Sequence, residues 1–290
     1  MRILHVDTGR EMRGGQLQVL LLVRGLRDRG HACKLLARGR LLEAAREEGI
    51  DVEEAAVLTV LSRRSWGELV HAHDARAHTL CVLAAARPLV VARRVAFPVR
   101  PGFLSRFKYS RAERYIAVSN HVAALLQQAG VRPERVRVVH DAAPGFPVKP
   151  PDGRIVAVHT DDPRKGTAVV RATGLPVVFS SNLDADLPGA SVFLYISEEE
   201  GLGSAALAAM SAGVPVVASR VGGLPEVVEH EETGLLVENT PQAVRAAVER
   251  ILGDRGLAER LGRAGRRRFE ERFTIDGMIA GTLEVYRECL

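Results

Sequence analysis

Short apolar runs alternate along the chain with stretches whose apolar residues recur every three or four positions. Residues 3–6, 34–37, 70–72, 89–92, 115–118 and 137–139 read as buried strands. Residues 16–29, 41–48, 75–86 and 121–128 read as the helices between them, with Gly14-Gly15 in the loop after the first strand. Repeated strand–helix–strand order predicts a parallel, doubly wound sheet.

Between Ala142 and Gly153 the breakers Pro144, Gly145, Pro147, Pro150 and Pro151 crowd together, as in an interdomain linker. A second alternation follows. Residues 155–158, 177–179, 192–196 and 214–218 read as strands, and 165–172, 204–212, 225–228, 242–252 and 257–271 as helices. A last helix runs over 276–288, with Thr274 as its cap. Two α/β domains are therefore expected, over residues 1–145 and 150–274. Ligands of such sheets bind outside the carboxyl ends of the strands.

Composition narrows the function classes. Hydrophobic residues at 47% and charged residues at 26% describe a globular chain with substantial cores. Aromatic residues at 4% are too few for a single-strand nucleic-acid stacking platform. The formal charge of +5, nearly all of it from arginine, suits anionic ligands or surfaces without choosing among them. Cys33, Cys81 and Cys289 are scattered and odd in number, which suggests a reduced, cytoplasmic chain. The first residues read as a strand, not a signal peptide. The apolar run 80–86 falls far short of the ~20 residues of a membrane span, so any membrane contact is expected to be peripheral.

Four segments carry candidate chemistry. Ser197-Glu198-Glu199-Glu200-Gly201-Leu202-Gly203 is an acidic, glycine-containing turn before a helix. Glycines let backbone N–H groups approach a ligand, a helix N-terminus favours an anion, and a carboxylate beside it can grip sugar hydroxyls. A tight turn with acids on the helix dipole explains the segment equally well. Arg164-Lys165-Gly166 places two cations at a strand end, where they can neutralise a diphosphate. The alternative, a solvated basic helix start, opposes the helix dipole. His71-Ala72-His73-Asp74 ends a strand, and alternation turns both histidines to one side. His73 can bond a sugar hydroxyl or be structural; a zinc site lacks a third ligand. Arg93-Arg94 opens a basic stretch to Arg114 that includes Arg100, Arg106, Lys108 and Arg111 among Phe97, Phe103, Leu104, Phe107 and Tyr109. It suits an anionic lipid-linked or phosphorylated acceptor, or a membrane surface, and equally an ordinary solvated face. No nucleic-acid recognition motif accompanies its aromatics.

Residues 197–238, SEEEGLGSAALAAMSAGVPVVASRVGGLPEVVEHEETGLLVE, resemble the donor-site signature of the retaining group 1 (family 4) glycosyltransferases. Arg164-Lys165-Gly166, Gly14-Gly15, His71-Ala72-His73 and Arg93-Arg94 with Lys108-Tyr109 resemble other family segments in the same order. The resemblance implies the B-type fold: two facing Rossmann-like domains with a nucleotide-sugar cleft between them, and the helix 275–290 returning to the first domain. It implies transfer of a sugar from a nucleoside diphosphate to an acceptor hydroxyl with retention, in cell-envelope glycan or lipopolysaccharide synthesis. UDP-sugars are the first expectation for the donor. Neither a cofactor nor a metal is expected.

By the same resemblance, His73, Arg164, Lys165 and Glu200 would be catalytic. Gly14, Gly15, Arg164, Lys165, Ser197, Glu200, Gly201, Leu202 and Gly203 would bind the donor. Arg93, Arg94, Lys108 and Tyr109 would face the acceptor or membrane. One departure stands out. The family's second glutamate, which holds the donor ribose, falls on Ala208. A non-catalytic binding paralogue is therefore an alternative, as is a nucleotide-sugar epimerase on the same fold. A dinucleotide dehydrogenase is disfavoured, because no Gly-x-Gly-x-x-Gly follows the first strand.

Overall fold

The computed structural model describes residues 1–290. The chain forms two compact units, Met1–Asp141 with Ile275–Leu290, and Ala142–Thr274.

The first unit holds strands β1 (Arg2–Val6), β2 (Ala32–Ala37), β3 (Val52–Glu54), β4 (Leu69–Ala72), β5 (Leu89–Arg93), β6 (Arg114–Ala117) and β7 (Val136–Val138). They form one parallel sheet of order β3-β2-β1-β4-β5-β6-β7. The chain winds outward from β1 through β2 and β3, then returns to the other side of β1 with β4. The carboxyl ends of β1 and β4 thus flank the point where winding reverses, the usual crevice of such sheets. The helix Ile275–Arg287 packs against the helix Gly14–Asp28 of this unit.

The second unit holds β8 (Ile155–Val158), β9 (Val177–Ser180), β10 (Val192–Tyr195), β11 (Val216–Ser219) and β12 (Gly234–Val237). Their parallel order is β12-β11-β10-β8-β9, so winding reverses between β8 and β10. Val192, Leu194, Val217 and Leu235 of the sheet pack on Val244, Val248 and Leu261 of the covering helices. This apolar layer fixes the register of β8 and β10, and so aims the loops that follow them.

Several elements differ from the sequence expectation. Gly14-Gly15 open the first helix rather than lying in its loop. Lys165 belongs to a 3-10 turn, Pro163–Lys165, and the helix starts at Thr167. Strands β3 and β12 and the helices Val57–Arg63, Phe103–Tyr109 and Leu183–Asp186 were not expected. The start of the linker packs on the second unit: Ser211 Oγ donates to the Pro144 carbonyl at 3.0 Å, and Arg266 Nη1 to that of Phe146 at 2.8 Å.

Candidate functional site

In the second unit the loops after β8 and β10 meet. Asp162 caps the 3-10 turn, accepting from Arg164 N at 3.1 Å. Its carboxylate also takes a bidentate pair from the Arg164 guanidinium, at 3.0 and 2.7 Å. Those bonds pull the Asp162 carboxyl down to about 2. Gly166 then turns the chain with φ 62°, where a Cβ would lie 2.7 Å from the Ile196 carbonyl oxygen. That close approach carries Lys165 to the loop after β10.

Lys165 Nζ donates to Glu200 Oε2 at 2.5 Å. The Tyr195 hydroxyl donates to the same oxygen at 2.8 Å, and Gly201 N donates to Oε1 at 3.2 Å. Burial, followed by the Glu200 charge, holds the Tyr195 phenol well above its ordinary value, so it stays a donor. Lys165, Glu200 and Tyr195 form one connected group, with the Lys165 and Glu200 side chains 32% and 14% exposed. Tyr195 has no counterpart in the motif reading. The signal for it was its place as the last residue of β10, at the winding reversal.

The helix Ser204–Ser211 begins beside this group, with Gly203 at its N-cap (φ 109°) and no side chain capping it. Its first N–H groups are the kind of donor set that receives phosphate. Behind the loop, a Cβ on Gly222 would lie 2.1 Å from the Glu200 carbonyl oxygen, and one on Gly223 2.1 Å from that of Gly201. Gly223 N donates to the Glu200 carbonyl at 2.9 Å. The Gly222-Gly223 pair therefore lets two backbones touch and holds Glu200 in place.

Two proposed donor contacts are interior instead. Ser197 is fully buried. Its Oγ donates to the Glu199 carbonyl at 2.8 Å, its N–H to Ser219 Oγ at 2.8 Å, and its carbonyl accepts from Asn239 Nδ2 at 2.8 Å. Ser197 therefore braces the loop. Leu202 is 2% exposed and belongs to the core. Gly201 and Gly203 are buried as well, so they offer backbone only. Ala208 is 7% exposed on the helix Ser204–Ser211.

In the first unit, His5 and His71 are register partners on β1 and β4, and His73 follows β4. All three imidazoles are buried. His5 Nδ1 and His73 Nε2 are 2.9 Å apart, and His71 Nδ1 lies 2.6 Å from the Tyr286 hydroxyl. Arg94 Nη1 approaches His73 Nδ1 at 3.4 Å. Because a guanidinium only donates, this contact leaves the His73 proton on Nε2, donating to His5. Burial, then the Arg94 charge, lowers His5 to about 3. Burial and the neighbouring groups hold His71 and His73 well below the usual histidine range. The three rings are neutral. Both His73 nitrogens are thus engaged inside the unit, which corrects the expectation that His73 faces a sugar. The third imidazole missing from the sequence reading is His5, hidden in the first apolar run.

Asp74 ties this region to the loop after β1, its carboxylate accepting from Thr8 Oγ1 at 2.9 Å and Arg76 N at 2.7 Å. Gly14 is exposed and Gly15 lies near Arg94, its Cβ position 3.9 Å from Arg94 Cδ. The expected acceptor or membrane residues are also corrected. Arg94 pairs with Asp141 at 2.9 Å, both side chains about 10% exposed. Arg93 Nη1 donates to the Tyr109 hydroxyl at 3.0 Å, and Tyr109 stacks on Tyr115. Lys108 Nζ donates to the Ala75 carbonyl at 2.7 Å. Burial lowers Lys108 below the ordinary lysine value. The residues of this stretch that face outward include Arg100, Arg106, Arg111, Phe97, Phe107, Phe103 and Leu104, the last two 81% and 80% exposed. No helix is long and apolar enough to cross a membrane.

Comparison with known proteins identifies the family. The family model for glycosyl transferases group 1 matches residues 177–268, and that for glycosyltransferase family 4 matches residues 12–142. The sulfoquinovosyl transferase of Arabidopsis thaliana is 36% identical over 134 residues, 42% of this chain and 26% of that protein. The alpha-maltose-1-phosphate synthase of Mycolicibacterium smegmatis is 42% identical over 109 residues, 35% of this chain and 28% of that protein. The matched stretch therefore spans little more than a quarter of the length of either curated relative. Among solved structures, HepE of Anabaena in complex with UDP superposes with a TM-score of 0.86 at 18% identity, covering 99% of this chain and 100% of that one. The sucrose-phosphate synthase of Thermosynechococcus elongatus gives 0.78 at 20% identity, covering 99% and 98%. With residues 12–142 matched by one of the two models and 177–268 by the other, the chain belongs to the group 1, family 4 glycosyltransferases.

Proposed function

We propose that the protein transfers a sugar from a nucleoside diphosphate sugar, UDP-linked in the first instance, to an acceptor hydroxyl with retention at the anomeric carbon. The observation that carries this reading is the Lys165–Glu200–Tyr195 group beside the uncapped start of the helix Ser204–Ser211. Lys165 meets the diphosphate, with the helix N–H groups completing the cradle. Glu200 positions Lys165 and the loop. Arg164 adds positive charge, held in place by Asp162. In the reaction, the bond from the anomeric carbon to the diphosphate oxygen breaks. The acceptor oxygen bonds to the same face, and its proton passes to the departing phosphate. The family resemblance supports this order, and the UDP bound to HepE supports a UDP-linked donor. Binding of nucleoside diphosphates to wild type and Lys165→Ala, measured by calorimetry, tests the assignment.

A second reading, a binding paralogue without turnover, is favoured by Ala208, where the resemblance expects a ribose-holding glutamate. Restoring the carboxylate with Ala208→Glu is expected to tighten nucleotide binding about tenfold or more, since hydrogen bonds to charged groups contribute ~1.5–3 kcal/mol. A fall in affinity would remove the missing-ribose-contact idea. Turnover by the wild type with any acceptor would remove the paralogue.

The acceptor side is proposed to lie on the first unit, with a glycan or lipid-linked acceptor at an anionic membrane surface. Exposed Phe103 and Leu104 beside Arg100 and Arg106 support peripheral contact, since apolar insertion and basic charge act together there. Sedimentation with phosphatidylglycerol vesicles is expected to fall to the level of neutral vesicles in Phe103→Asp with Leu104→Asp, while nucleotide binding is unchanged. Equal sedimentation of variant and wild type contradicts the membrane contact.

A further inference from the structure

We propose that His5, His71 and His73 form a three-imidazole site for a divalent transition metal of the zinc type, at the carboxyl ends of β1 and β4. Each residue offers a ring nitrogen, and these atoms all lie within 4.8 Å of one another. The side chains are 0%, 1% and 4% exposed. His71 Nε2, the nitrogen this ring turns to the cluster, is buried with no hydrogen-bond partner. Unsatisfied buried polar atoms are uncommon in folded proteins and call for a physical cause, a bound ion being one.

The ligands are arranged as a metal requires. His71 is held from behind, with its Nδ1 at 2.6 Å from the Tyr286 hydroxyl. When Nδ1–H donates to that hydroxyl, the lone pair of Nε2 points into the cluster. Metal-bound histidines are commonly fixed in this way by a partner on their other nitrogen. His5 Nδ1 and His73 Nε2 face one another at 2.9 Å and share one proton. A zinc ion about 2.0–2.1 Å from each nitrogen takes that proton's place and opens the pair to roughly 3.4 Å, the separation expected across a tetrahedral site. His73 then carries its proton on Nδ1 and gives up the long 3.4 Å contact from Arg94. The Arg94 charge is already offset by Asp141 at 2.9 Å. A cation is therefore entering a region that is not dominated by positive charge. Three protein nitrogens leave a fourth position for a small ligand such as water. Imidazole favours zinc, nickel, cobalt or copper over magnesium or calcium.

This inference is independent of the transferase reading, because it uses only residues of the first unit. The chain, purified without a histidine tag, is analysed for metal by inductively coupled plasma mass spectrometry and then stripped with a chelator. About one equivalent of zinc is expected to return on titration, with a raised unfolding midpoint. Cobalt is expected to give the visible absorption of a tetrahedral site. Tyr286→Phe, which keeps the ring, is expected to weaken metal affinity about 10–100-fold, as loss of a second partner of a ligating histidine does. His71→Gln is expected to abolish the cobalt spectrum. A folded wild-type chain that takes up no zinc or cobalt and shows the same midpoint with and without chelator overturns the site. So does a cobalt spectrum unchanged in folded His71→Gln.

Discussion

Replacing Lys165 by alanine is expected to lower affinity for the nucleoside diphosphate by about a hundredfold or more. Two effects act in the same direction. The charged hydrogen bond to phosphate is lost, worth ~1.5–3 kcal/mol, and each ~1.4 kcal/mol is a factor of ten. Glu200 also loses its cation, so its carboxylate faces the incoming phosphates uncompensated. Its bonds from Tyr195 and Gly201 N remain, which keeps the loop in place. Lys165→Arg retains the charge and is expected to recover part of the affinity. Unchanged binding of Lys165→Ala by calorimetry would remove the donor-site assignment altogether.

Gly222→Ala is the second large expectation, and it acts through backbone. Gly222 has φ 55°, and a Cβ there would lie 2.1 Å from the Glu200 carbonyl oxygen. The left-handed conformation costs a residue with a Cβ about 1–2 kcal/mol. Crowding against a carbonyl in a packed loop adds about 1–3 kcal/mol more. Urea unfolding should therefore show a loss of roughly 2–5 kcal/mol. Donor affinity falls with it, because Glu200 must move. Gly130 is the control: its φ is 88° and nothing lies within 4 Å of its Cβ position, so only the conformational part applies. Equal losses for Gly222→Ala and Gly130→Ala would show that the close approach contributes nothing.

The core strands were legible because buried parallel strands are continuous apolar runs, as in β1, β8 and β10. Strand β3 was not, since Val52-Glu53-Glu54 is a short acidic edge strand, in which Glu53 pairs with Lys34 at 3.0 Å and Arg63 at 2.8 Å. The helix Phe103–Tyr109 buries none of its residues, so it carries no apolar stripe for periodicity to find. Lys165 and Glu200 were both identified as site residues, but their pairing across 35 positions depends on β8 lying beside β10. His5 was missed for the same reason: only the pairing of β1 with β4 brings it to His71. His73, Arg94 and Ser197 were read as facing ligand because chain position shows which loop a residue occupies. It does not show whether neighbouring elements have already taken its hydrogen bonds.

The central claim is that the second unit holds a nucleoside diphosphate sugar on Lys165 and the helix start at Ser204. A thermal-shift panel of uridine, guanosine and adenosine diphosphates and their sugar conjugates, run on wild type and Lys165→Ala, tests it most directly. The expected result is a raised midpoint with one nucleotide, uridine diphosphate first, corresponding to ~2.7 kcal/mol at a hundred times the dissociation constant, and a shift of ~0.4 kcal/mol or less in the variant at the same concentration. Shifts of equal size in wild type and variant, or none with any nucleotide, would contradict it.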